Sequence, residues 1–103
     1  MRVIVVNPGE QPEVRDIVGD LASLQGCVDG IIDRFARDGH VEFLANDEGR
    51  FNGMEFNRFV VLSDGSMWDI FGPILLVGGN DELGDFESLT DADIATWAPQ
   101  LSR

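Results

Sequence analysis

Between Asn46 and Arg58 the chain reads NDEGRFNGMEFNR. Within it Asn46, Glu48, Asn52, Asn57 and Arg58 supply amide donors and acceptors, a carboxylate and a planar guanidinium. That mixture suits recognition of a carboxylate, a phosphate or a length of peptide backbone, because a guanidinium grips such groups through paired N–H bonds. The same stretch also suits a plain two-turn connection, since Asn and Gly tolerate left-handed backbone and Asn side chains bond their own main chain. Residue types leave both readings open. On the second, Arg58 is free to pair with Asp64 or Asp69.

A second cluster, Asp81, Glu82, Asp85 and Glu87, is chemically simpler. Its spacing misses the order of a calcium loop and places Leu83 where an oxygen ligand is needed, so it reads as a solvated acidic loop and no metal is expected. The glycines of VGGN run straight into these acids, which would repel the phosphate that a glycine cradle holds. His40 stands alone as the single histidine, which removes zinc sites and histidine-based triads, and its place beside Asp38-Gly39 reads as surface. Cys27 has no histidine near it in sequence and reads as a buried structural thiol; without a second cysteine it forms no internal bridge, which fits a reducing compartment.

Charge narrows the chemistry further. Nineteen acids face seven bases for a net charge of -12, and every base is an arginine, so neither a Schiff-base lysine nor a P-loop lysine exists. Tyrosine is absent as well. After Arg58 no base occurs until Arg103, while eight acids fall between them, so the C-terminal half carries a negative field. Such a field disfavours direct binding to nucleic acid and favours a basic protein surface as partner. No acid has an identifiable partner nucleophile or metal, so the reading is non-enzymatic and needs no cofactor.

These residues must be positioned by a small scaffold. At 103 residues, with 44% hydrophobic content, the chain is expected to form one globular domain, residues 1–103, with its own core. No apolar run approaches the roughly 18 to 20 residues needed to span a bilayer, and RVIVVNP after Met1 is too short for a signal peptide, so a soluble cytoplasmic protein with no membrane contact is expected. RVIVV is a buried strand by its β-branched run, and PEVRDIV an edge strand half in water. Asp20 caps a short helix whose Leu21, Leu24 and Val28 share a face and which ends near Gly30. GIIDRFARDGHVEFLAND reads as a hairpin with a type I′ turn at Asp38-Gly39, with Val41, Phe43 and Ala45 alternating against His40, Glu42 and Leu44. FVVLSDGSMWDIFGPILLVGG gives a strand, a turn at Asp64-Gly65 and a second strand through Ile74 to Val77. Thr90, with Asp93 three residues on and Leu89 poised to pack on Ile94, opens a C-terminal helix at about 90–98 whose Ile94, Trp97 and Leu101 face the core. The fold class is therefore α+β, a small mostly antiparallel sheet with two short helices.

The order of these features resembles the domain-of-unknown-function family numbered 3846. The resemblance runs over nearly the whole chain: a helix leading to Val28 and Gly30, then Asn46, Glu48, Gly49, Asn52, Gly53, Asn57 and Arg58, then Gly72, Gly78 and SLTDADI. The sequence departs from it at Asp47 and at Met54-Glu55-Phe56, where a more acidic, then prolyl, loop is expected. That family occurs in phages, prophages and their bacterial hosts and brings no assigned reaction. Resemblance and charge together imply a non-enzymatic phage-type accessory protein that docks an acidic face (Asp81, Glu82, Asp85, Glu87) on a basic host protein in the host cytoplasm, as a nucleic-acid mimic in counter-defence would. The alternative expectation is a binder of a small anionic ligand or signalling nucleotide through the 46–58 loop.

Overall fold

The computed structural model describes residues 1–80 and 85–102. A six-stranded antiparallel sheet forms its centre, in the order β2-β1-β7-β4-β3 with β8 pairing β7. The strands are β1 (Arg2–Val6), β2 (Glu13–Asp16), β3 (Ile32–Asp38), β4 (Val41–Asn46), β7 (Ile74–Asn80) and β8 (Asp85–Glu87). A separate two-stranded hairpin, β5 (Phe56–Val61) and β6 (Met67–Phe71), is inserted between β4 and β7.

The central strands are buried on both faces, and each face has its own cover. Val3, Val5, Leu44, Leu75 and Val77 point to one side, where α1 (Leu21–Val28) lays Leu24 and Val28 on them. Ile4, Val6, Val41, Phe43, Ala45, Ile74 and Leu76 point to the other, under the hairpin residues Val60, Leu62 and Ile70 and under α2 (Asp91–Leu101) with Trp97 and Leu101. Phe43 and Trp97 meet edge to face with centroids 4.8 Å apart, a favoured arrangement of two ring quadrupoles. Strand side chains alternate between faces, so a doubly covered strand reads as continuously apolar. That is why Val41 through Ala45 are all buried, where the sequence suggested an alternation of buried and exposed positions.

The capping chemistry is as expected. The Asp20 side chain accepts from Ser23 N, and Thr90 and Asp93 form a reciprocal capping box. Leu21, expected on the buried face of α1, is exposed. The C-terminal helix runs on through Pro99 to Leu101. Its last turn is held by burial of Trp97 and Leu101 and by a side chain that captures the Leu101 carbonyl, described below.

Three local expectations are corrected. The turn between β3 and β4 is not type I′: Asp38 is the last strand residue, paired with Val41, and Gly39 is the residue with positive φ, at 59°. The strand expected to run into Ile74–Val77 is two strands in different sheets, broken at Gly72 (φ 83°) and Pro73. Part of the acidic segment read as a solvated loop is strand β8, whose Glu87, Phe86 and Asp85 pair with Gly78, Gly79 and Asn80.

Candidate ligand-binding cleft

The 46–58 segment divides into an outward turn and an inward clamp. Residues 47–53 form consecutive turns seated on β6, with Asn52 N donating to Glu48 O at 2.8 Å and Met54 N to Gly49 O at 3.0 Å. Gly49 lies so close to the β6 backbone that a Cβ would come within 2.6 Å of Phe71 O, so only glycine permits this seating. Asn46, at the end of β4, donates from Nδ2 to Val28 O and Asp29 O, both at 3.1 Å, and accepts from Glu48 N at 2.8 Å. It therefore closes the end of α1 and starts the turn at once. Glu48 and Asn52 face solvent.

Asn57 and Arg58 are buried, and they hold the protein together from within. Asn57 Nδ2 donates to Val6 O at 2.7 Å and Gly72 O at 2.9 Å, while its Oδ1 accepts from Arg58 Nε at 2.7 Å. The Arg58 guanidinium also donates to Leu101 O, to Glu10 O at 2.6 Å and to Asn7 O at 3.4 Å. Its acceptors include the last carbonyl of α2, the negative end of that helix's dipole, which favours a cation there. The expected ion pair of Arg58 with Asp64 or Asp69 does not form; Arg50 takes Asp69 instead, at 2.5 Å. A bulge between Phe56 and Arg58 lets two successive residues of β5 turn inward, which regular alternation forbids.

What the turn does build is a cleft of about 410 Å³ between the edge of the β3–β4 pair and β6. Its aromatic walls are Phe35, Trp68, Phe71 and Phe51; its acids are Asp33, Asp47 and Asp69. Phe35 and Trp68 lie 5.9 Å apart, tilted by 53°. Arg50 stacks over Phe71 with its guanidinium carbon 4.6 Å from the ring centroid while pairing with Asp69. That guanidinium holds the Asp69 carboxyl below its usual pKa. Of the five loop residues singled out from sequence, Asn46 alone lines this cleft. The cleft residues missed come from β3, the end of β4, the 47–51 turn and β6, brought together only by the hairpin folding across the sheet. The one sequence signal for them was the presence of aromatic residues at Phe51, Trp68 and Phe71.

The acidic segment is likewise divided. Asp81 and Glu82 lie outside the described residues. Asp85 is exposed at the start of β8. Glu87 is paired with His40, which reads from sequence only as a surface residue and is engaged at both ring nitrogens: Nε2 lies 2.7 Å from Glu87 Oε2 and Nδ1 2.6 Å from Asp93 Oδ2. When protonated, an imidazole between two carboxylates donates from both nitrogens, one bond to each. Bonds from Asp93 and then Glu87 accordingly raise its pKa above the ordinary 6.5. For Asp93, burial works to raise the carboxyl, but the Thr90 N–H, His40 and the Thr90 hydroxyl outweigh it and leave the pKa lowered. The ring fits against Gly78, where a Cβ would lie 2.5 Å from His40 Cε1. It borders a second cleft of about 380 Å³, in which Ser63 Oγ bonds Asp38 Oδ1 at 2.8 Å.

Cys27 is partly buried on α1, and burial raises its thiol pKa, only partly offset by Arg15. Among the described residues no cluster of three or more His, Cys, Asp or Glu is arranged to hold a metal, and no helix is long and apolar enough to cross a membrane.

Against this geometry, the family model described as "Domain of unknown function (DUF3846)" matches residues 1–102. The chain belongs to the DUF3846 family. Comparisons of this DUF3846 chain with curated proteins and with solved structures return no match. Family membership brings no reaction with it, so the role of this DUF3846 protein has to be argued from its surface and its cleft.

Proposed function

We propose that this DUF3846 chain is a non-enzymatic accessory protein of phage type that binds a basic host protein through its negative surface, in the manner of a nucleic-acid mimic in counter-defence. The observation that carries the reading is the fate of the positive charges. Each of the six arginines among the described residues is engaged within the molecule. Arg2 pairs with Asp91 at 2.8 Å, Arg15 with Glu13 at 2.9 Å and Arg50 with Asp69 at 2.5 Å. Arg34 and Arg37 converge on the buried Glu42 at 2.8 and 3.6 Å, and Arg58 lies inside on carbonyl oxygens. Asp16, Asp29, Asp33, Asp47, Glu48, Glu55 and Asp64 are exposed around them. A surface of this kind attracts basic partners over about a Debye length and repels phosphate backbones.

The non-enzymatic part of the reading draws on His40 and Ser63. Both His40 nitrogens are occupied by carboxylates, and in the protonated form that this favours the ring has no lone pair with which to act as a general base; the Ser63 hydroxyl is bonded to Asp38. The alternative of an anionic ligand held by the 46–58 loop draws less support, because Asn57 and Arg58 point inward.

The test is affinity capture from host lysate at low and high salt. The expected outcome is a basic partner retained at low salt and released at high salt. Retention indifferent to salt, or capture of acidic proteins, would count against the reading.

A further inference from the structure

We infer that the cleft between β3 and β6 is the seat for an arginine side chain of the partner protein, bound by cation–π contact and a carboxylate. This rests on the proposed binding of a basic protein and deepens it by naming the contact. Two observations carry it. The first is that the cleft already holds one guanidinium in this way: the guanidinium carbon of Arg50 sits over the Phe71 ring, 4.6 Å from its centroid, and the group pairs with Asp69 at 2.5 Å. The second is that the rest of the lining offers the same chemistry again: the rings of Trp68 and of Phe51, the latter 89% exposed, and the acids Asp33 and Asp47.

The volume of about 410 Å³ is ample for a guanidinium and its aliphatic stem. The chemistry selects arginine over lysine, because a planar, weakly hydrated cation stacks on rings and bonds a carboxylate in its own plane, whereas an ammonium is a compact and strongly hydrated charge. It also accounts for an otherwise unhelpful feature, a phenylalanine held almost fully in water at the lip of a negatively charged cleft. Aromatic residues and arginine are both enriched where proteins meet, and both are frequent among the residues that carry binding energy. A free anion finds the reverse of what it needs here, since Asp33, Asp47 and Asp69 all border the space.

The probe is a short unstructured peptide containing two arginines, compared with the same peptide carrying lysine or uncharged citrulline at those positions, and with free arginine amide. Binding is read by chemical-shift changes at the Trp68 indole and the Phe51 ring, and by titration calorimetry. The arginine peptide is expected to shift both rings, to bind severalfold more tightly than the lysine peptide, and to lose binding with citrulline. Phe51→Ala removes an exposed ring without opening the core and is expected to weaken the arginine peptide by about three- to thirtyfold, the range of a cation–π contact. Asp33→Asn is expected to weaken it as well, at unchanged melting temperature. Equal binding of the arginine and lysine peptides, unaffected by Phe51→Ala, would overturn the cleft assignment and leave the acidic-surface reading standing. Failure of every basic peptide to bind would remove both. Arginine amide binding as tightly as the peptide would make a free small cation the ligand and overturn the assignment to a partner's side chain.

Discussion

Replacing Arg58 by alanine removes a cation bonded to oxygens from four separate places: the Asn57 side chain, the end of α2 at Leu101, and the carbonyls of Glu10 and Asn7. Three of these bonds are close and the Asn7 bond, at 3.4 Å, is weak. A hydrogen bond to a charged group contributes about 1.5–3 kcal/mol, but desolvating the guanidinium takes back several kcal/mol, so the bonds do not simply add. The larger effect of the substitution is what it leaves behind. The Asn57 amide oxygen and the Leu101 carbonyl lose a buried donor, at about 1–3 kcal/mol each. The expected destabilisation is about 3–5 kcal/mol, a large share of the roughly 5–15 kcal/mol that holds a domain of this size folded. Urea denaturation followed by tryptophan fluorescence reads it directly. With a slope of about 1–3 kcal/mol per molar, the midpoint should fall by roughly 2 M. Arg58→Lys should recover less than half of the loss, because one ammonium cannot reach acceptors spread along the plane of a guanidinium. A loss below about 1 kcal/mol for Arg58→Ala would refute the clamp.

Two further outcomes are expected. His40 gains its partners on folding and its pKa rises, so its contribution to stability is complete below pH 6.5 and is lost as the pH climbs through the raised folded value; Asp93, whose pKa is lowered, limits the same pair on the acid side. Melting temperatures across this range should show that loss in the wild type and not in His40→Gln, and parallel profiles would show that the two contacts contribute nothing to stability. Cys27, with its pKa raised by burial, should react more slowly with a thiol reagent near pH 8 than a small free thiol does and become fast in urea. Rapid labelling of the folded protein would contradict the packing of α1.

What could be read from the sequence was what local chemistry determines. The Thr90 and Asp93 capping box and the Asp20 cap are contacts over three residues, and so their pattern is written in consecutive positions. The β3–β4 hairpin was legible for the same reason, though its turn residues were displaced by one. Strand β8 was not legible, because two acids around one phenylalanine carry no strand signal of their own and become a strand only by pairing with Gly78–Asn80. Nor could the sequence decide between the outward and inward fates of Asn57 and Arg58. Both are ordinary loop residues by type, and their acceptors at Val6, Gly72, Glu10 and Leu101 are supplied by folding. The cleft is the same case: Asp33 and Trp68 are well separated in sequence and share a space only once the hairpin crosses the sheet edge.

The placement of that hairpin also bears on the order in which the chain assembles. β4 and β7 are neighbours in the sheet, yet everything from residue 47 to residue 73 lies between them. Zipping β4 to β7 therefore closes a loop, and the entropy of closure grows with the length left slack. The β5–β6 hairpin forms from adjacent residues on the microsecond scale of isolated hairpins and gathers most of that slack before the long-range ladder begins. Arg58, by contrast, reaches acceptors from the first ten residues and the last few, which meet only when the sheet is complete. It belongs to the end of the pathway, so its loss should show as faster unfolding with little change in the folding rate, and a slowed folding rate would place it in the nucleus instead.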